Sequence, residues 1–271
     1  MERITSRQNA VVKRFRALAR TGPSADGEIL LDGEHLIDEA LAVRLPIAVA
    51  AFSQTGLNGS TGRFAEIARR AGHAGARILS VPDDVLSAMS PVRQPSGAVA
   101  IARVQAAALR SVFRPASRTP LVLVLAGVQD PGNVGAIIRS AAAFDATAIV
   151  TTEDSANPFG WKALRGAMGG TFRLPVSTGA AIDDVVTACR EAEIPLAATV
   201  PRGGTPLPEA DLRCGCAIVL GGEGAGVPDT ALRAAGTRVT IPMRESAESL
   251  NVATAAALVL YEAWRQRSER R

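Results

Sequence analysis

Three stretches of the chain place glycines, carboxamides, acids and an arginine just beyond apolar runs, and ligands of α/β proteins sit at such strand ends. The first is Gly127-Val128-Gln129-Asp130-Pro131-Gly132-Asn133-Val134-Gly135-Ala136-Ile137-Ile138-Arg139, where the apolar run Leu121–Ala126 enters a turn and a helix begins near Asn133. Asn133 is expected to cap that helix, Gly135 to let another backbone approach, and Arg139 to project about one and a half turns on. A capped core helix with a surface arginine would use the same residues. The second is Ile218-Val219-Leu220-Gly221-Gly222-Glu223-Gly224-Ala225-Gly226-Val227-Pro228, a strand running into a glycine-dense loop around an acid. No Gly-Lys-Ser/Thr follows, and Gly222-x-Gly224-x-Gly226 is not the spacing of a dinucleotide fingerprint, so both usual nucleotide cradles are excluded. Glycines at that density lose much chain entropy on folding, which favours bare backbone held against a ligand over a plain tight turn. The third joins Val239-Thr240-Ile241-Pro242-Met243 to Glu248-Ser249-Leu250-Asn251-Val252-Ala253-Thr254-Ala255-Ala256-Ala257. There a strand stops at proline, and Ser249 or a neighbour caps a helix whose small face suits a close neighbour, although alanine is also the best helix former.

Bringing three such loops together takes an α/β chain, and the hydrophobic pattern predicts one. Residues 1–104 read as a small α/β domain, with helices at 9–19, 34–42, 62–71 and 82–89 and strands at 28–31, 47–52, 77–81 and 98–102. Residues 105–119, with alanines, arginines and prolines, read as a linker holding about one helical turn. Residues 120–271 read as a second domain, with strands at 121–126, 148–151, 174–176, 196–199, 217–220 and 238–241. Helices are expected there at 133–144, 161–168 and 182–192, with a closing helix from about 250 to 267. Continuous apolar strands alternating with helices predict a doubly wound parallel sheet.

Composition narrows the classes. With 47% hydrophobic residues the chain can fill two cores, which excludes a disordered chain. Its apolar runs fall far short of the roughly 20 residues of a membrane span, and its arginine-rich beginning lacks the apolar core of a secretory signal. No membrane and a cytoplasmic location are therefore expected. Cys189, Cys214 and Cys216 are too few for a disulfide framework and make no zinc site with two histidines, so packing roles and no metal are expected. His35 and His73 have no motif partner. A net charge of +4 with a pI near 9.5 permits nucleic-acid binding. The cations gather at Arg3, Arg7, Lys13, Arg14, Arg16 and Arg20, around Arg110, Arg114 and Arg118, and at Arg265, Arg267, Arg270 and Arg271. Arginine forks match phosphate, with Arg14 and Arg16 the expected contacts, and an ordinary solvated surface would look alike.

In order and spacing the three stretches resemble the signature of the SpoU, or TrmH-like, RNA ribose 2′-O-methyltransferases of the SPOUT superfamily. The resemblance covers about residues 121–266. The segments Ile4-Thr5-Ser6-Arg7-Gln8-Asn9 and Leu31-Asp32-Gly33-Glu34 are similar to the L30e-like substrate-binding domain that precedes many of these catalytic domains. The resemblance implies a trefoil-knotted, parallel-sheet catalytic domain, a homodimer built through it, S-adenosylmethionine as cofactor, and structured RNA as partner, ribosomal before transfer RNA. It implies cofactor contacts from Gly221, Ile241 and Leu250, with Leu220, Gly222 and Met243 lining the same pocket. It further implies that Arg139 works near the target ribose, with Asn133, Glu223, Ser249 and Asn251 shaping or assisting the site. Ala253 and Ala167 stand where relatives often carry serine, so no hydroxyl acts there.

A ribose hydroxyl is a poor nucleophile until its proton leaves or its oxyanion is stabilised, whereas a sulfonium methyl is already reactive. Arg139 is ordinarily protonated and is expected to orient phosphate or stabilise the oxyanion rather than act as a free base. The rival reading is a non-catalytic, ribosome-associated RNA-binding protein that keeps the fold, against which the five retained polar residues speak.

Overall fold

The computed structural model of the chain describes residues 1–59, 62–115 and 118–268. It opens with β1 (Glu2–Arg3) and α1 (Ala10–Thr21), whose first turn Asn9 caps by accepting the Val11 N–H at 2.8 Å. There follow β2 (Glu28–Asp32), α2 (Glu34–Ala42), β3 (Ile47–Ser53), α3 (Gln54–Leu57), α4 (Arg63–His73), β4 (Arg77–Val81), α5 (Asp83–Met89) and β5 (Ala98–Arg103). Next come α6 (Leu109–Val112), β6 (Leu121–Ala126), α7 (Pro131–Ala143), β7 (Ala148–Thr152), α8 (Trp161–Ala167), β8 (Val176–Ala180), α9 (Ile182–Glu191) and β9 (Leu196–Thr199). The last described elements are β10 (Thr205–Pro206), β11 (Cys216–Gly221), α10 (Asp229–Ala234), β12 (Thr237–Thr240) and α11 (Val252–Ser268).

These elements form two compact units, residues 1–105 with 159–172, and residues 106–158 with 173–271. In the first, a mixed sheet runs β1-β4-β3-β5-β2, with β4 parallel to β1 and β3, and β5 antiparallel to β3 and β2. The apolar stripe of α1, Val12, Phe15 and Leu18, is buried in its core. Residues 159–172 fall within the stretch read as the second domain, yet they pack as part of this unit. Trp161 lies against its core, and Arg165 donates to Asp32 at 3.0 Å while Ser90 donates to the other carboxylate oxygen at 2.7 Å. The Asp32 side chain is 3% exposed, so the guanidinium offsets the heavy penalty of a buried charge.

The second unit holds a seven-stranded sheet, β10-β12-β9-β11-β6-β7-β8, parallel at every pairing. Its central strands β6 and β11 read as unbroken apolar runs because both faces are covered. Residues of the stretch read as a linker join this core: Ala107 N–H donates to the Val176 carbonyl at 2.8 Å, and Val112 and Phe113 are buried. β8 begins at Val176 rather than at residue 174, because Pro175 has no N–H to give the ladder. The last turn of α11 fastens the loop before β11. Gln266 donates to the Ala210 carbonyl and accepts the Leu212 N–H, each at 2.9 Å, and Arg267 donates to the carbonyls of Leu212 and Cys214 at 2.8 and 2.5 Å. Cys189 and Cys216 are buried, and burial pushes the Cys189 thiol up to about 12. Cys214 is exposed rather than packed, since its loop gives its carbonyl to Arg267 and leaves the thiol outside.

Candidate active site

The three motif loops meet at the C-terminal ends of β6, β9, β11 and β12. β11 pairs with β6 as far as Gly221 opposite Ala126, and the next N–H, that of Gly222, donates to the Ala126 carbonyl at 2.8 Å. At this crossing the backbones are in direct contact. A Cβ at Gly222 would lie 1.8 Å from the Gly127 carbonyl oxygen, and one at Gly221 would lie 2.1 Å from the Gly226 carbonyl carbon. Gly226 has φ +68° and donates its N–H back to the Gly222 carbonyl at 3.1 Å, whereas Gly224 faces open space. Three of the four loop glycines are thus required by the backbone itself, a constraint in addition to the ligand contact expected of them.

One polar residue from each motif joins a single hydrogen-bonded chain. α7 is capped by Asp130, which accepts the Asn133 N–H at 2.8 Å, with Pro131 in the first turn. Asn133 is therefore not the expected cap. Its position inside the first turn frees its side chain, which donates to the Glu223 carboxylate and accepts from Asn251 Nδ2 at 3.1 Å. A carboxylate only accepts, which fixes the orientation of the Asn133 amide. Asn251 in turn accepts the N–H groups of Ala253 and Thr254 at 2.9 and 3.3 Å and so caps α11. Ser249 is exposed beside it.

These loops wall a cleft of about 620 Å³, within the range of small-molecule sites. Leu220, Gly221, Gly222, Ile241, Met243 and Leu250, the six expected cofactor residues, all line it, together with Glu223, Ser249 and Asn251. Apolar walls with backbone polar groups and one carboxylate suit a flat heteroaromatic ring joined to a cationic centre. Thr199, Val200 and Pro201 supply a further wall that sequence reasoning missed. The strand expected at 196–199 was the available signal, since ligands gather beyond strand ends. Arg139 stands apart. It lies six residues along α7 from Asn133, about 240° around the helix, exposed, without an ion pair among the described residues and not among those lining the cleft.

Most of the arginines that suggested phosphate contact have internal partners. Arg110 and Arg114 bind the carboxylate and the carbonyl of Glu191 at 2.9 Å, Arg118 pairs with Asp145, Arg265 pairs with Glu262 at 2.8 Å, and Arg267 is engaged as above. Arg270 and Arg271 lie outside the described residues. Arg14 is held by Glu28, whose carboxyl this hydrogen bond keeps below its usual range. No helix among the described residues is long and apolar enough to cross a membrane.

Residues 120–261 match the model of the SpoU rRNA Methylase family. An uncharacterized tRNA/rRNA methyltransferase of Synechocystis sp. is 33% identical over 97% of this chain and 93% of its own. The 23S rRNA (guanosine(2553)-2′-O)-methyltransferase RlmP of Bacillus subtilis is 28% identical over 96% of this chain and 98% of its own. Among solved structures, the AdoMet-bound rRNA methyltransferase from Sinorhizobium meliloti superposes with a TM-score of 0.85 at 27% identity, covering 97% of both chains.

Proposed function

The chain belongs to the SpoU rRNA methylase family and is an S-adenosylmethionine-dependent RNA 2′-O-methyltransferase, and we propose that its target is a ribose in structured ribosomal RNA, with transfer RNA the second choice. The observation that carries this reading is the convergence of Asn133, Glu223 and Asn251 beside a cleft whose walls fit the cofactor. S-adenosylmethionine supplies an activated methyl group when bound. Leu220, Ile241, Met243 and Leu250 would hold its apolar parts, with backbone groups of the glycine loop meeting its polar edges. Glu223, oriented by Asn133, offers a carboxylate that can hold a cation or take a proton, and Ser249 offers a hydroxyl to the incoming ribose. Arg139 orients phosphate or stabilises the developing oxyanion.

The reading extends to architecture. Residues 120–271 are taken as a trefoil-knotted SPOUT domain and residues 1–104 as an L30e-like substrate-binding domain, in line with the full-length superposition. A homodimer through the catalytic unit is supported by an aromatic cluster at the end of α7 and on α11, with half-buried Phe144 beneath exposed Tyr261 and Trp264. Phe144 and Tyr261 meet at 5.7 Å, Tyr261 and Trp264 at 6.0 Å, and Tyr261 and Trp264 are 48% and 40% exposed. RNA phosphate is proposed to meet α1 along Lys13, Arg16 and Arg20. These are exposed, share one face at spacings of three and four, and have no ion pair among the described residues.

The test is transfer of labelled methyl from S-adenosylmethionine to ribosomal and transfer RNA lacking native modifications, followed by nucleoside mass spectrometry, with Arg139→Ala in parallel. A labelled 2′-O-methyl nucleoside on ribosomal RNA, lost in the variant, is expected. Label on transfer RNA alone would overturn the substrate, cofactor binding without transfer to either RNA would overturn both RNA assignments, and no cofactor binding would defeat the reading.

A further inference from the structure

Beyond Leu125, opposite Thr151, β6 leaves its ladder with β7 while Ala126 still pairs with Gly221 of β11, and the backbone donors that follow need other partners. Gly127 turns there with φ +72°. Its N–H donates to Thr152 Oγ1 at 3.1 Å, and the Val128 N–H donates to Ser155 Oγ at 3.2 Å. Each hydroxyl has one proton of its own to place. Thr152 gives its proton to the Asp154 carboxylate and Ser155 gives its proton to the Leu125 carbonyl at 2.8 Å, so both oxygens are left as acceptors for the turn. The Ala156 N–H closes the set on the Val128 carbonyl at 2.9 Å.

This braced turn is the floor on which the glycine loop rests. Gly222 packs directly on the Gly127 carbonyl and itself lines the cleft, while Asp130, two residues beyond Val128, caps the helix that carries Asn133. A shift of the turn therefore moves a cleft wall and the Asn133–Glu223 pair together, since packed backbones have no slack to absorb it. Thr152 and Ser155 belong to none of the three motifs and do not line the cleft. We propose that they are positioning residues for methyl transfer, acting through the Gly127–Val128 turn. This rests on the methyltransferase reading above.

The experiment is calorimetric titration of the full chain with S-adenosylmethionine, well below its unfolding temperature, together with single-turnover methyl transfer. Wild type is compared with Thr152→Val, Ser155→Ala and the conservative Thr152→Ser. Thr152→Val and Ser155→Ala each leave a donor of the turn unpaired and are expected to weaken cofactor binding about tenfold. The single-turnover rate should fall with it, and Thr152→Ser should stay within about twofold of wild type. If Thr152→Val does not fold, Ser155→Ala carries the test. Folded variants with wild-type affinity and rate would overturn the proposal even if they melted earlier, because the hydroxyls would then serve stability alone. Thr152→Ser as impaired as Thr152→Val would overturn it by tracing the effect to packing. A wild type that binds no S-adenosylmethionine would instead overturn the methyltransferase reading, and this inference with it.

Discussion

Alanine at position 222 should disable the cleft, whereas alanine two residues on should be tolerated. The added Cβ would sit 1.8 Å from the Gly127 carbonyl oxygen, so the two backbones must part by more than an ångström to reach even 3.0 Å. Neither atom belongs to a flexible side chain, and both segments are tied, Gly222 to Ala126 at 2.8 Å and Gly127 to Thr152 at 3.1 Å. Overpacking costs about 1–3 kcal/mol where side chains can adjust, and a lost hydrogen bond adds about 1 kcal/mol, so about 3 kcal/mol is expected. For a unit of this size that lowers Tm by roughly 6–12 °C. Gly224→Ala meets no atom within 4 Å and needs no left-handed backbone, so its stability should stay within about 0.5 kcal/mol of wild type. Thermal denaturation and cofactor titration of both variants decide the matter. Gly222→Ala melting within about 2 °C of wild type and binding cofactor normally would refute the claim that backbone crossing dictates this glycine.

Three further outcomes follow from the geometry. Arg165→Ala leaves the buried Asp32 carboxylate with Ser90 alone and should cost about 2–3 kcal/mol in urea unfolding, below the full value for a buried pair because Arg165 is 46% exposed; recovery on adding Asp32→Asn is expected, and a loss under about 1 kcal/mol would count against the pairing. Neutralising Lys13, Arg16 and Arg20 together should lower the slope of log affinity against log salt for RNA by about 2, while Arg14→Ala, whose partner is Glu28, should leave it unchanged; equal slopes for both would remove α1 from the interface. The Cys189 thiol, raised by burial from 9.0 to about 12, makes the fold prefer the neutral form, so its contribution is intact below pH 9 and declines as pH rises from 9 toward 12; native protein at pH 8 should react with a thiol reagent at Cys214 and resist at Cys189, and equal reactivity would contradict the burial.

The parallel strands could be read from the sequence because buried strands such as Leu121–Ala126 leave an unbroken apolar trace. The cleft residues could be read because their motifs are local. Asp130 and Asn133 are both good caps, so the local signals compete, and Pro131 at the first helical position decides for Asp130. Effects carried by distant partners left no trace in the pattern. The bond between Arg165 and Asp32 spans 133 positions, and nothing near Arg14 in the sequence shows that Glu28 takes its charge. Arg139, expected about one and a half turns beyond Asn133, lies six residues on, and that spacing is also a rotation of about 240° about the helix.

The clasp made by Gln266 and Arg267 sets a timetable for the nascent chain. Strands β6, β7, β9 and β11 emerge from the ribosome first and can pair, but the loop before β11 stays unfastened until residues 266 and 267 follow. The cleft likewise waits for Ser249 to Ala255 to supply its last wall. A chain still being made therefore carries its sheet without a finished cofactor site, and it remains silent beside the very class of RNA it is proposed to modify.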